Sequence, residues 1–266
     1  MSHLPTFAPW ALGHFDLKAP LDRYGAIILR EMVPKEVAQQ AYLQARIAFA
    51  DPGAYIARPE AHPQARSGYT PPNVEGKMGQ GPNPHRHFFD YRPGRRSLAP
   101  GKDVLVPLHR ALCRVAKIAL REIDHVARRR FSSMMDYPRA TLRAAECLND
   151  FVDPGFELFP SHRDFSFLTL FVGGAQSGLQ VEQVVRGEKK WIDVTLPFGD
   201  VLIGIGTIYH QYFPQAVPLQ HRIVASSPYR LSFFSVIDPR KHVLLPNGEL
   251  ASQFFARVMA QVRYKR

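Results

Sequence analysis

Three side chains that can bind one metal ion lie in the C-terminal half of this sequence. His162 and Asp164 are two positions apart, and residues i and i+2 of an extended strand point to the same face. His221 follows later in the chain. Two imidazoles and one carboxylate on one side of a metal, with its other positions open, form the ligand set of non-haem Fe(II) oxygenases. The spacing therefore predicts an iron site. The alternative, a polar pair in a surface loop, would leave His221 and Arg230 unexplained.

Arg230 and Ser232 are also two positions apart, so one strand face would carry both side chains. An arginine can bind a carboxylate through two parallel hydrogen bonds, and a serine hydroxyl can donate a third. An arginine without a partner in an apolar interior would be costly to bury. The pair therefore predicts a site for a carboxylate ligand, and an ordinary salt bridge at Arg230 is the alternative.

Other histidines are rival metal ligands. His210 lies shortly before His221, but the His-Arg-Ile sequence that begins at His221 and its spacing from Arg230 favour His221. His85 and His87 form a His-x-His pair in a segment rich in proline and glycine. A zinc site would need two more ligands. Histidines at the surface or at the mouth of a substrate site are the simpler interpretation of this pair.

The order of these residues resembles a known family. The pattern looks like that of the isopenicillin N synthase-like Fe(II)/2-oxoglutarate oxygenases. It consists of His162-x-Asp164, then His221, and, after eight more residues, Arg230-x-Ser232. The similarity runs in order from about Thr141 to Pro239. The other stretches that carry it are Asp164 to Leu170, Gly178 to Glu182, Trp191 to Val194 and Gly199-Asp200, with a weaker echo in Gly68 to Pro72, Gly76-Lys77 and Phe88 to Asp90.

The resemblance implies an Fe(II)- and 2-oxoglutarate-dependent dioxygenase that oxidises, most simply hydroxylates, a small organic molecule and releases succinate and CO2. Its catalytic iron would be held by His162, Asp164 and His221. Arg230 and Ser232 would bind the far carboxylate of 2-oxoglutarate. Two alternatives stay open: an Fe(II) oxidase of the same fold that does not use 2-oxoglutarate, and a non-catalytic small-molecule binding protein.

One stretch departs from the family pattern. Many members carry Arg-x-Asn-x-Tyr on the strand that leads into the site, and the tyrosine helps to hold 2-oxoglutarate. The corresponding stretch here runs from Arg143 to Cys147 and has Ala145 where the asparagine would stand. Cys147 replaces the tyrosine. This departure leaves the exact cradle of the co-substrate open and favours the oxidase alternative to a small degree.

Substrate contacts are expected near the mouth of the site. By resemblance, the segment from Asp51 to Pro100 covers that mouth, and Tyr69 is a candidate contact. Near the ligands, Phe165, Tyr212 and Phe234 are further candidates, and Phe156 adds apolar surface. The charged residues expected near the mouth are Arg66, Lys77 and Arg86. Each of these side chains could equally pack in the core or face solvent.

The hydrophobic periodicity predicts a mainly β protein with supporting helices. Apolar positions repeat at three and four in the helices, and short strands separated by turn residues are typical of a sandwich or jelly roll. The family implies a double-stranded β-helix, the cupin-like jelly roll. Predicted helices are Pro34–Phe49, Pro107–Phe131 and Ser252–Tyr264. Predicted strands are Thr141–Leu148, Phe165–Phe171, Leu179–Val184, Lys190–Val194, Val201–Ile205, Arg222–Ala225 and Arg230–Val236.

The domain prediction is one oxygenase domain over residues 1–266. It comprises a helical and irregular N-terminal region with the active-site cover (1–138), the jelly-roll core (139–240) and a C-terminal helix (241–266).

Composition narrows the function classes. The 266 residues are enough for one large β-rich domain. The net charge is +11, but the basic residues are scattered, so a small anionic or carrier-bound substrate is favoured over nucleic acid. No apolar run approaches the ~20 residues of a membrane span, and no signal peptide is recognised. Two cysteines fit a reducing compartment, so a cytoplasmic protein without a membrane partner is expected.

Overall fold

The computed structural model describes residues 4–9, 16–55, 68–75, 83–93, 102–148, 153–175, 177–226 and 229–261. Within these ranges the strands form one eight-stranded sheet and one four-stranded sheet. The predicted positions Arg66 and Gly76-Lys77, and the end of the predicted last helix, lie outside the described residues.

The larger sheet combines strands from both halves of the chain. In spatial order its strands are β1 (Thr6–Phe7), β2 (Ala26–Leu29), β10 (Val201–Ile205), β7 (Leu168–Val172), β12 (Tyr229–Ile237), β5 (Thr141–Leu148), β4 (Arg86–Tyr91) and β3 (Gly68–Thr70). The smaller sheet has the order β6 (Glu157–His162), β11 (His221–Val224), β8 (Leu179–Val185) and β9 (Glu188–Val194).

The helices cover the outer face of the larger sheet. Their bounds are α1 (Lys18–Tyr24), α2 (Lys35–Ala50), α3 (Lys102–Ala127), α4 (Phe131–Met134), α5 (Thr207–Tyr212) and α6 (Ala251–Ala260). The apolar stripe of α3 is buried, with Leu108, Leu112 and Ile123 fully covered. From the sheet, Phe233 contacts Tyr42 of α2 at a ring-centroid distance of 5.0 Å. One face of the larger sheet therefore forms the main core with the helices.

The opposite face of the larger sheet meets the smaller sheet. Leu202 and Ile28 of the larger sheet cluster with Leu179, Val181 and Val194 of the smaller sheet. Two packed, mainly antiparallel sheets with a core between them form the jelly roll. The predicted fold class, mainly β with supporting helices around a jelly-roll core, is confirmed.

Side-chain alternation along β12 assigns its residues to these two environments. Leu231 and Phe233 belong to the core under the helices. Arg230, Ser232 and Phe234 occupy the alternate positions, so they point between the two sheets. The strand thus delivers an arginine and a serine to the interior of the jelly roll on one face.

Several predicted bounds differ from the structure. All seven predicted strands are present, but Phe165–Phe171 begins only at Leu168. The predicted helix Pro107–Phe131 starts earlier, at Lys102, and ends at Ala127. Arg128 has φ 50°, a left-handed conformation that interrupts the helix. The region before residue 139 is less irregular than predicted, because it contributes the four strands β1 to β4 to the larger sheet.

Candidate metal centre and carboxylate pocket

Three predicted ligands converge where the smaller sheet meets the loop after β6. His162 and His221 are direct cross-strand partners in the antiparallel pair β6–β11. The His162 Nε2 atom lies 3.5 Å from Asp164 Oδ1, and the His221 Nε2 atom lies 3.9 Å from Asp164 Oδ2. The three donor atoms all lie within 4.8 Å of one another. One ion could therefore contact all three.

Asp164 reaches this position from a loop, not from the strand that the spacing suggested. Strand β6 ends at His162, two residues earlier. The backbone N–H of Thr207 donates to the Asp164 carbonyl at 2.9 Å. The Thr169 hydroxyl donates to Asp164 Oδ2 at 2.6 Å. The first bond holds the backbone of Asp164 and the second holds its carboxylate. The predicted strand position of Asp164 was therefore wrong, although the side chains do meet.

Backbone carbonyls orient both imidazoles. The Nδ1 atom of His162 lies 2.9 Å from the Pro160 carbonyl, and that of His221 lies 3.3 Å from the Leu219 carbonyl. A carbonyl can only accept a hydrogen bond, so each neutral ring carries its proton on Nδ1. The Nε2 lone pairs are then free on the side that faces Asp164, as in metal-binding histidines whose second nitrogen is held by a carbonyl.

The electrostatics of the cluster suit a cation. Burial opposes the charge of Asp164, but His221, His162 and the Thr169 hydroxyl hold the pKa of the carboxyl well below its usual range. Burial, reinforced by His162, lowers the pKa of His221 to about 4. A neutral His221 beside a charged carboxylate is the state that metal binding requires. The donor set therefore fits Fe(II), which takes imidazole nitrogen and carboxylate oxygen.

The rival histidines lie elsewhere. His210 is exposed, and its Nδ1–H donates to the Ala216 carbonyl at 2.7 Å. His87 Nε2 lies 2.7 Å from Glu146 Oε2, which accounts for one ring nitrogen. Among the described residues, the only cluster of three potential metal ligands is the one formed by His162, Asp164 and His221.

Arg230 lies at a pocket between the sheets. The residue is 4% exposed, its Nη1 donates to the Ser177 carbonyl at 3.3 Å, and its Nε has no hydrogen-bond partner in the described part of the chain. Burial lowers the pKa of the guanidinium. The pocket is lined by Phe171, Val172, Ala175, Leu179, Val194, Leu196, Arg230, Ser232 and Phe233.

This pocket and the metal centre share a wall. Phe171 lines the pocket, and its ring centroid lies 5.2 Å from that of His221. Ser232 is partly buried, and its hydroxyl donates to the Ala145 carbonyl at 3.4 Å, a weak bond that a better acceptor could replace. Phe171 therefore lies between the metal centre and the pocket at Arg230.

The structure brings one of the four predicted substrate contacts to this site. Phe234 lies between the sheets, 6.0 Å from Phe171 between ring centroids. Phe165 packs at the edge of the main core. Tyr69 is buried, and its hydroxyl lies 2.9 Å from His87 Nδ1 on the helix-facing side of the larger sheet.

The fourth predicted contact, Tyr212, lies on the short helix α5. Its ring packs 5.2 Å from that of Phe131 between centroids, and its hydroxyl donates to the Leu244 carbonyl at 3.2 Å. Tyr69 and Tyr212 are therefore not placed beside the metal ligands.

Two residues beside the ligands were missed by the sequence analysis, and a third was placed only generally. Phe159 lies 4.7 Å from His162 between ring centroids, and Phe171 contacts His221. Arg86, expected at the mouth, lies inside with its guanidinium 4.3 Å from the centre of the Phe159 ring. The alternation Arg86, Phe88, Asp90 along β4 was the available signal, since it puts all three on the face that Arg230 shares.

Solved structures with similar folds include several oxygenases. A putative oxygenase from Shewanella oneidensis matches with a TM-score of 0.77 and 17% identity, over 97% of this chain and 98% of that one. A full-length Neurospora crassa protein in complex with alpha-KG matches with a TM-score of 0.74 and 17% identity, over 91% and 87%. The dioxygenase for auxin oxidation 1 from Arabidopsis thaliana, in complex with 2-oxoglutarate, matches with a TM-score of 0.72 and 15% identity, over 89% and 93%.

The chain has the fold of 2-oxoglutarate/Fe(II) oxygenases. Neither a protein-family profile nor a curated protein sequence matches it. At these identities the likeness establishes the fold, and the chemistry depends on the residues of the site. None of the helices in the described ranges has the length and apolar character that a bilayer crossing requires.

Proposed function

We propose that this protein is an Fe(II)- and 2-oxoglutarate-dependent dioxygenase that oxidises, most simply hydroxylates, a small organic molecule. The observation that carries the proposal is the convergence of two Nε2 lone pairs and one charged carboxylate within 4.8 Å, inside the jelly roll. His162, Asp164 and His221 would hold Fe(II). Iron with bound 2-oxoglutarate supplies activation of O2 for oxidation of a C–H bond, with release of succinate and CO2.

Arg230 supports 2-oxoglutarate as the co-substrate. Its buried guanidinium has no carboxylate within ion-pair distance in the described residues, although an unpaired buried charge is costly. A dicarboxylate bound with one end at the metal would bring its other carboxylate to Arg230 and Ser232. The two side chains would then orient the co-substrate through charge-assisted hydrogen bonds.

The finer assignments rest on the sequence pattern. The order His162-x-Asp164, His221, Arg230-x-Ser232 supports the isopenicillin N synthase-like branch of these oxygenases. We also propose one oxygenase domain over residues 1–266, a cytoplasmic location and no nucleic-acid partner. The net charge of +11 favours a small substrate that is anionic or attached to an acidic carrier.

One observation favours a second candidate, an Fe(II) oxidase that uses no 2-oxoglutarate. Ala145 and Cys147 stand where the family pattern has asparagine and tyrosine, and both point between the sheets in register with Ser232 and Arg230. Neither side chain can supply the hydrogen bonds of the residues it replaces. Arg230 favours the dioxygenase, because 2-oxoglutarate would supply a carboxylate partner for its buried charge.

Anaerobic addition of Fe(II) and 2-oxoglutarate tests the proposal. The expected result is a weak visible charge-transfer band that needs both components and is absent from Asp164→Ala. Turnover should then release succinate in step with oxidised product. Oxidation of a substrate at an undiminished rate with iron and O2 alone would establish the oxidase instead.

A further inference from the structure

Arg86 is a second arginine between the two sheets, and its guanidinium has no acidic partner in the described residues. The carboxylates whose charge acts on its pKa, besides burial, belong to Glu75 and Asp90, and Arg143 binds both. The Arg143 Nε and Nη2 donate to the two Asp90 oxygens at 2.7 and 2.9 Å, and its Nη1 and Nη2 donate to the two Glu75 oxygens at 2.7 and 3.3 Å. Arg86 thus keeps its donors available for another group.

Aromatic rings hold the Arg86 guanidinium in place. Its central carbon lies 4.3 Å from the ring centre of Phe159, 5.4 Å from that of Phe88 and 5.9 Å from that of Phe234. Ring faces attract a guanidinium but leave its in-plane N–H groups unused. The rings therefore fix the position of the guanidinium and leave its N–H groups available to a ligand, as expected of a binding residue.

A closed circuit of ring contacts connects Arg86 with the metal centre. Ring contacts run from Arg86 through Phe159 to His162, from His162 to His221 at 4.2 Å, and from His221 through Phe171 and Phe234 back to Arg86. Most of these side chains are only partly buried although they lie between the sheets. Apolar rings that retain accessible surface around a polar centre are typical of a ligand site.

The two arginines between the sheets have different neighbours. Arg86 and Arg230 are both in register with Cys147, on either side of it. The Arg86 guanidinium stacks on Phe159, whose ring lies 4.7 Å from that of His162 between centroids, whereas Arg230 donates to the Ser177 carbonyl at 3.3 Å. Arg86 therefore lies next to a ring that contacts a metal ligand, while Arg230 lines the pocket next to Ser232.

We infer that Arg86 and the rings of Phe159, Phe171 and Phe234 form the substrate subsite, and that the substrate is an apolar monocarboxylic acid. One guanidinium fork matches the two oxygens of one carboxylate, and a single positive charge balances a single negative one. The three rings match an apolar body next to that carboxylate. This inference rests on the proposed function for the reaction, but the binding it describes can be measured without turnover.

The test measures binding by calorimetry under argon, with and without 2-oxoglutarate, on the Fe(II)-loaded protein. The probes are phenylacetate, 4-phenylbutyrate and octanoate, each beside its primary amide. At least one acid should bind about tenfold more tightly than its amide, since a hydrogen bond to a charged group is worth about 1.5–3 kcal/mol. Arg86→Gln should remove that preference by weakening acid binding and leaving amide binding unchanged, and Arg86→Lys should restore part of it.

Arg129→Gln is the matched control, because Arg129 also stacks on two rings, those of Phe131 and Tyr212, but is exposed. It should bind every probe as the unmodified protein does. The inference is overturned if no acid is preferred over its amide, or if Arg86→Gln binds the acids within about twofold of the unmodified protein. It is also overturned if Arg86→Gln loses 2-oxoglutarate affinity instead, which would assign Arg86 to the co-substrate.

The two proposals fail separately in this experiment. Absence of 2-oxoglutarate binding to the unmodified protein refutes the dioxygenase but leaves the acid preference measurable. Thermal unfolding and iron content of Arg86→Gln show whether the variant is folded. If it is not, Phe234→Ala provides the second variant, and it should weaken both the acid and its amide, the acid at least as much, because it removes apolar contact and one of the rings that hold Arg86. Unchanged binding of both probes by Phe234→Ala would also overturn the subsite.

Discussion

Two backbone carbonyls decide which nitrogen of each imidazole faces Asp164. Because Pro160 and Leu219 accept the Nδ1 protons, the two Nε2 atoms are available before any metal arrives. A preformed donor set lowers the ordering cost of binding, so each donor contributes strongly to affinity.

Replacing any one of the three ligands with alanine should therefore weaken Fe(II) binding sharply, by more than about tenfold, since even changes around the ligands cost 10–100-fold. Titration of the apoprotein with Fe(II) under argon measures this. His210→Ala is the control and should keep the full affinity, because His210 is exposed and bonded to Ala216. If His221→Ala kept its iron while His210→Ala lost it, the distal ligand would be misassigned.

Thr169 gives a milder test of the same centre. Thr169→Val keeps the shape of the side chain but removes the hydroxyl that donates to Asp164 Oδ2 at 2.6 Å. The carboxylate loses one of its fixed contacts, so Fe(II) affinity should fall by about 10–100-fold with little change in fold. Thr141→Val, a partly buried threonine on β5, is the matched control. Equal iron affinity in both variants would show that the hydroxyl does not position Asp164.

Arg230 should determine affinity for 2-oxoglutarate rather than for iron. Arg230→Ala leaves one carboxylate of the bound co-substrate buried without a partner, a loss of about 2–5 kcal/mol. The apparent KM for 2-oxoglutarate should rise accordingly, and Arg230→Lys should recover only part of it because lysine lacks the planar fork. Direct titration with 2-oxoglutarate separates binding from turnover. An unchanged affinity would remove Arg230 from the co-substrate site.

At the scale of elements, α3 supplies the support under the larger sheet. Leu112 is fully buried in the main core, so Leu112→Ala should lower the free energy of unfolding by about 2–5 kcal/mol. Leu43→Ala on α2 makes the same chemical change at a side chain that is 50% exposed, and it should cost no more than about 0.5 kcal/mol. Denaturant unfolding compares the two. Equal losses would mean that α3 does not carry the core.

The elements also show how far the sequence could predict the structure. Strands β5 and β10 have the predicted bounds because turn residues precede them, Pro138 before β5 and Gly199 before β10. Strand β6 was not predicted because it contains Pro160, which lacks a backbone N–H. The structure tolerates that proline because β6 is an edge strand, paired only with β11.

The site was predictable in its residue types but not in its contacts. Arg230 and Ser232 share one face of a strand, as their two-residue spacing predicts, whereas His162 and Asp164 meet although Asp164 lies in the loop after β6. Which acid pairs with which arginine depends on register across strands. Only the structure shows that Arg143 takes both Asp90 and Glu75 and leaves Arg86 with free donors.

At the scale of the whole molecule, a net charge of +11 will attract polyanions without specific recognition. Duplex DNA should therefore bind weakly, without sequence preference, and with an affinity that falls steeply as salt rises. Fluorescence anisotropy over a salt series measures this. Tight binding that persists at physiological salt would contradict a small-molecule substrate.

The pairing of His162 with His221 affects the stability of β6, the edge strand of the smaller sheet. The β6–β11 ladder has register shifts immediately after His221, so it is irregular where the ligands sit. A metal bound by both histidines would fasten the outermost strand of the smaller sheet to its neighbour, and ligand binding to the folded state slows its local opening. Amide hydrogen exchange in β6 should therefore slow by at least about tenfold when Fe(II) is added under argon, while exchange in α3 stays the same. Metal binding would then stabilise the edge of the smaller sheet as well as supply the reactive centre.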